Sequence, residues 1–134
     1  MKVVYDTCLY VDLLRQGGHL SLFSDRNHVR FLSPLVLMEL KAGAITPKHR
    51  KIVDQLIEPY SRVGRIIAMP AGIFSKSGEV LSRLHKARQN LGRGLINDLL
   101  IALGARKAMA RIVTCDKKDF QIIASYVSID VAYW

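Results

Sequence analysis

Two cysteines, Cys8 and Cys115, are all that the 134 residues hold. A scaffold stapled by several disulfides is therefore excluded. So is a structural zinc site built from thiolates, because no histidine stands at ligand spacing beside either cysteine. Proline (4) and glycine (9) are sparse and follow no fixed period, which excludes collagen-like and low-complexity chains. The longest strongly apolar stretch, Leu99 to Leu103, falls far short of the roughly 20 residues a membrane helix needs. At the start, Met1-Lys2-Val3-Val4-Tyr5-Asp6 reaches an acid after three apolar residues and offers no signal-peptide core. A cytoplasmic location with reduced thiols and no membrane contact is the expectation. No Ser/Gly/Pro-rich run, repeat or block of like charge divides the chain, so residues 1–134 are read as one domain.

Acid is the other scarcity. Asp and Glu total 11 against 20 Lys and Arg, a net charge of +9, and the pI is about 9.9. Such a chain attracts polyanions at long range, with nucleic acid the first candidate. Half the residues are apolar, enough to build a core rather than leave the chain disordered.

Short β-branched runs alternate with longer helical ones. Strands are expected at Lys2–Tyr5, Val29–Leu32, Arg65–Met69, Arg111–Thr114 and, weakly, Tyr126–Ile129. Helices are expected from Thr7 to Leu14, from Ser33-Pro34 to about Gly43, from Pro47 to about Arg62, from Ala71 to about Gln89, from Leu95 to Ala110 and from Lys118 to Ala124. Pro59 should disturb the last turn of its helix, and Asn90 to Gly94 should form a turn. Leu95–Ala110 is apolar on nearly every face and should be central. The alternation predicts an α/β fold of three layers, α/β/α, around a mostly parallel five-stranded sheet. Sites in such sheets lie beyond the carboxyl ends of the strands.

The few acids fall there. Asp6 follows the first strand, and Asp116 follows the fourth after one residue. Glu39 lies in the helix after the second strand, Asp98 near the start of the apolar helix, and Asp119 three residues beyond Asp116. Each has a bland reading: Asp6, Asp98, Asp116 and Asp119 as helix caps or loop residues, Glu39 as a solvated side chain. Jointly they converge on one sheet edge. Crowded carboxylates raise each other's pKa, and a divalent cation reverses the effect. All-oxygen ligands favour Mg2+, with Mn2+ as substitute. Such an ion, or a pair, serves hydrolysis of a phosphodiester by metal-activated water, and a basic surface would hold the phosphates.

At these residues the sequence resembles the PIN-domain family, and within it the VapC-like toxins of prokaryotic toxin–antitoxin pairs. The matching segments are Val3-Val4-Tyr5-Asp6-Thr7, Leu37-Met38-Glu39-Leu40-Lys41-Ala42-Gly43, Leu95-Ile96-Asn97-Asp98-Leu99-Leu100-Ile101-Ala102 and Ile112-Val113-Thr114-Cys115-Asp116-Lys117-Lys118-Asp119-Phe120. They span nearly the whole chain in the family's order. The resemblance implies a parallel sheet flanked by helices and a Mg2+-dependent endoribonuclease acting on RNA. It implies Asp6 and Asp98 as principal metal ligands, Glu39 and Asp116 as further metal ligands completing the acidic cluster, all four catalytic, and Asp119 as an additional acid used by some members. Thr7, Asn97 and Thr114 are supporting polar residues. A cognate antitoxin and a homodimer are also implied. One departure is Cys8, where Ser or Asn is commoner; Cys8 and Cys115 are expected close together across the first and fourth strands.

Arg83, Lys86, Arg88 and Arg93 lie in a basic segment that runs into the helix bearing Asp98, and are candidates to bind RNA. Its bland reading is a solvated helix end. His19, His28, His49 and His85 form no ligand pair, and no histidine base is proposed. Gly92-Arg93-Gly94 is not a phosphate-binding loop, since no Gly-Lys-Ser/Thr follows. The apolar tail Val131–Trp134 either packs on the body or marks an oligomer contact. Three rival readings remain: a non-catalytic basic module that binds RNA or protein, a housekeeping RNA-processing nuclease, and a receiver-type phosphoacceptor. The last needs a lone reactive Asp and a late Lys, which this spacing fits poorly.

Overall fold

The computed structural model describes residues 1–87 and 92–134, with Arg93 represented by its backbone alone. The chain runs β1 (Lys2–Tyr5), α1 (Thr7–Gln16), α2 (Leu20–Phe23), β2 (Val29–Phe31), α3 (Pro34–Gly43), α4 (Pro47–Arg62), α5 (Ala71–Lys86), α6 (Arg93–Lys107), β3 (Arg111–Thr114), α7 (Lys117–Ala124) and β4 (Val131–Tyr133). The fold is α/β. Its sheet has four strands in the order β2-β1-β3-β4, and all neighbours pair in parallel.

Two expected strands are corrected. The segment Arg65–Met69 makes a single bridge, Leu32 with Ile66, flanked by the Leu32 N–H to the Arg65 carbonyl and the Ile67 N–H to the Leu32 carbonyl. The reason is local: Ser33 and Pro34 begin α3 directly after Leu32, so no edge is left to extend the ladder. The last strand is not Tyr126–Ile129. The N–H groups of Tyr126 and Val127 return to the Ile123 carbonyl and close α7. The tail expected to pack on the body or meet another copy is itself the edge strand, Val131–Tyr133. The short helix α2 had no clear period to announce it.

Most ends follow local chemistry. Ser33 accepts the Leu35 N–H and Thr46 the His49 N–H as side-chain caps. Gly17 closes α1 at φ 65°, donating to the Asp12 and Leu13 carbonyls. Pro59 sits inside α4, but one turn from its end, and the helix continues to Arg62.

β1 is the centre of the sheet. Val3, Val4 and Tyr5 are buried on both faces, as expected for a strand flanked on both sides. Beside it, α6 packs against α3, α5, α7 and β3, with Leu95, Leu99, Ile101, Ala102 and Ala105 buried. Most of its apolar circumference is thereby accounted for, although Ile96 stays exposed. The Cβ that an alanine would add at Gly104 stands 2.9 Å from the Met69 sulfur, so a small residue there lets the chain after Ile67 lie close. Ile101→Ala should cost about 2–5 kcal/mol, read as a lower urea midpoint with an unchanged denaturant slope.

Candidate metal centre

Parallel pairing sets Tyr5 beside Val113, and the Asp6 N–H extends the ladder to the Val113 carbonyl at 3.0 Å. The residues after both strands therefore emerge side by side. Asp6 is buried. Its Oδ1 accepts the Thr7 N–H at 2.7 Å, and its Oδ2 accepts the Thr114 hydroxyl at 2.7 Å. The Thr114 oxygen in turn accepts the Asp116 N–H at 2.9 Å. One fully buried hydroxyl thus ties together the acids that follow β1 and β3.

Glu39 projects from α3 toward the same place rather than into open solvent. It accepts the Thr7 hydroxyl and the Asn97 amide, the latter at 2.9 Å. Asp98 is buried in α6. The N-cap of that helix is Gly92, so Asp98 lies too far inside to be a cap. Asp6 and Asp116 do cap α1 and α7, so for them the capping role and a place in the cluster coincide. One carboxylate oxygen from each of Asp98, Asp116 and Asp119 lies within 4.8 Å of the other two. Asp119 also faces the first turn of α6, its Oδ2 lying 3.7 Å from where a Cβ on Gly94 would stand.

The electrostatic consequence is strong. The Asp98 pKa is pushed up to about 8, first by burial, then by Asp6, Asp116, Asp119 and Glu39. Asp6 is raised as well, first by burial. Hydrogen bonds from Thr114 and Thr7 pull it down, while Glu39 and Asp116 push it up. Asp12, Asp25, Asp54, Glu58, Glu79 and Asp130 each face a His, Lys or Arg at 2.5–3.7 Å. Among the described residues, none of Asp6, Glu39, Asp98, Asp116 and Asp119 has such a partner. The amino ends of α1 and α7 supply only partial positive charge, roughly half an elementary charge each.

A hard divalent cation fits this donor set, which offers carboxylate and neutral oxygens and no nitrogen or free thiol. Asp98, Asp116 and Asp119 are the nearest group that could hold it, with Asp6 and Glu39 around them.

The basic candidates are less concentrated. Arg83 lies 5.0 Å from the centre of the Tyr126 ring, and Lys86 is exposed in the last turn of α5. Arg88, the Arg93 side chain and the start of the expected turn at Asn90 lie outside the described residues. The expectation of reduced thiols is corrected: Cys8 and Cys115 form a disulfide. The pairing of β1 with β3 that joins Asp6 to Asp116 also brings these two cysteines together. Their closeness matches the sequence expectation, since each stands within two residues of a cluster acid; only their oxidation state differs from it.

Asp98 binds its proton up to about pH 8 in the fold but only to about pH 4 in the unfolded chain. The folded state therefore holds more protons across this window, and stability falls as pH rises through it. For the metal-free protein the thermal midpoint should drop between pH 5 and pH 8.5. Asp98→Asn should flatten much of that drop, and Mn2+ added at pH 8 should raise the wild-type midpoint but not the variant's to the same extent.

No protein-family model matches the chain, and no curated protein does either. Solved structures do. A chain of VapBC2 from Rickettsia felis, bound to a DNA fragment from its promoter, aligns over 100% of this chain and 99% of its own, with 25% identity and a TM-score of 0.72. A chain of VapBC-1 from nontypeable Haemophilus influenzae aligns over 100% and 98%, with 22% identity and a TM-score of 0.73. A third match is VapBC-5 from Mycobacterium tuberculosis, of the VapBC family of toxin–antitoxin systems, with 19% identity over 98% of this chain and 96% of that one and a TM-score of 0.61. End to end, the chain has the fold found in the chains of these toxin–antitoxin complexes.

Proposed function

We propose that the chain is a Mg2+-dependent endoribonuclease, with Mn2+ able to substitute, and the toxin component of a toxin–antitoxin pair. One observation carries this reading. In a chain of net charge +9, five carboxylates from four separate stretches meet at the carboxyl edge of the sheet, while each remaining acid has its own cationic or histidine partner. Such a set lowers its own stability unless it holds a cation. When bound, a divalent ion supplies Lewis acidity that polarises the phosphodiester and its attacking water.

The chain's own residues do the rest. Asp98, Asp116 and Asp119, with Asp6, would hold the ion, Asp98 in its carboxylate form. Thr114 fixes the Asp6 carboxylate, and Thr7 and Asn97 fix Glu39. Glu39, half-buried and held by these bonds, would take the proton of the attacking water. Arg83 and Lys86, with Arg88 and Arg93, are the candidates to hold RNA phosphates.

The likeness to chains of two-component complexes supports an antitoxin partner. A groove lined by Val11, Leu14, Leu40, Ile52 and Val53 runs between α1, α3 and α4 and has Glu39 on its lining. An apolar antitoxin segment seated there would lie against Glu39, at the margin of the acid cluster. A homodimer is part of the same reading.

The test is incubation of the purified, antitoxin-free chain with total RNA, with and without Mg2+ or Mn2+. Cleavage should require the ion and stop on chelation. Asp6→Asn and Asp98→Asn should each lower it by about a thousandfold, since the lost charge stabilisation is several kcal/mol, with circular dichroism unchanged. Full activity in either folded variant, or none in the wild type with Mn2+, overturns the assignment.

A further inference from the structure

We infer that Cys8 and Cys115 are a reversible dithiol–disulfide couple that locks the Asp116 loop onto the start of α1. They are the chain's only cysteines. They are 107 positions apart in sequence, yet their Cα atoms stand 6.4 Å apart and the two are bonded, within the span a disulfide bridges. Cys8 lies in the first turn of α1, two residues after Asp6. Cys115 directly precedes Asp116. The bond therefore joins the two segments that carry those acids.

Access is asymmetric. Cys8 is half-buried, whereas Cys115 is exposed on the turn between β3 and α7. A small thiol or disulfide in solution can reach the Cys115 sulfur without unfolding the chain. Oxidation by a low-molecular-weight disulfide such as oxidised glutathione balances in two exchanges. The Cys115 thiol displaces one glutathione and forms a mixed disulfide; the Cys8 thiol then displaces the second and closes the Cys8–Cys115 bond. Two electrons pass from the protein thiols to the external disulfide, and the two thiol protons leave with the two released glutathiones. Reduction by excess glutathione is the reverse.

The mechanical role follows from the charges. Asp6, Asp98, Asp116 and Asp119 repel one another, and besides the disulfide the β1 and β3 ends are joined by non-covalent contacts: the Thr114 hydroxyl, the backbone ladder, and the Cys8 sulfur, which accepts the Cys115 N–H at 3.2 Å and lies 3.8 Å from the Thr114 hydroxyl. A covalent tie at residues 8 and 115 holds the Asp116 loop in place against that repulsion. Its effect on cation binding rests on the function proposed above: the oxidised chain keeps the acids assembled, and the reduced chain lets the loop spend time away.

The experiment uses the full-length protein poised with oxidised glutathione or reduced with a phosphine. The thiol count should be zero and two, respectively. The thermal midpoint should be higher for the oxidised form by roughly 10 °C, as a cross-link closing so long a loop implies. Cys115→Ser, at an exposed position, should lose the difference, and Cys8→Ser should match it. Calorimetry with Mn2+ should show about threefold tighter binding to the oxidised chain, as when a docked loop is populated about a third of the time in the reduced one. Two free thiols in the folded protein after oxidised glutathione overturn the couple. A redox-dependent thiol count with identical midpoints and Mn2+ affinities overturns the lock. A redox-dependent count and midpoint with no Mn2+ binding in either form supports the lock and instead overturns the metal site.

Discussion

Mutual repulsion among buried carboxylates is the constraint around which this molecule is organised. No small domain gathers such charge at the end of its sheet without cost, since Asp6 and Asp98 are desolvated and the neighbouring acids add to the penalty. The elevated proton affinity of Asp98 records that cost directly. The fold tolerates it because the rest of the domain is strongly cohesive: β1 is buried on both faces, and α6 contributes a nearly complete apolar surface. Rigidity below the sheet edge keeps the acids where their own repulsion would not.

Neutral groups share the task. Threonine hydroxyls and an asparagine amide donate to Asp6 and Glu39 without adding charge, so they orient the oxygens and leave the site's negative charge uncompensated. A lysine or arginine in their place would compensate it. The contrast with the outer surface is informative. There, Glu58 with Arg62 and Asp54 with Lys41 form ordinary exposed pairs, each worth little to stability.

Much of the fold could be read from the sequence. The Ser33-Pro34 start of α3, the two-sided apolar run of β1 and the all-round apolar α6 each carry a local signature strong enough to stand alone. The missing strand and the shifted one had a different cause. Arg65–Met69 has strand composition, but pairing depends on a neighbour long enough to receive it, and β2 ends where α3 begins. The last strand was displaced because α7 drew on Tyr126 and Val127 to finish its final turn. At the candidate site, the position of each acid after a strand or in a helix suggested a meeting point. The partition within it depends on side-chain rotamers and helix packing: Asp119 beside Asp98 and Asp116, Glu39 held by Thr7 and Asn97. The disulfide lay in plain view as two cysteines flanking acids, but only the adjacency of β1 and β3 makes it geometrically possible.

That adjacency also fixes when the site can exist. β1 is made well before its neighbour β3. Asp6 therefore waits for Thr114 and Asp116 until β3 has been made, and pairing across so long a separation is slow in its own right. A nascent chain that has not yet reached Asp119 has no assembled acid cluster, so whatever chemistry that cluster performs is withheld until β3 and the start of α7 have emerged.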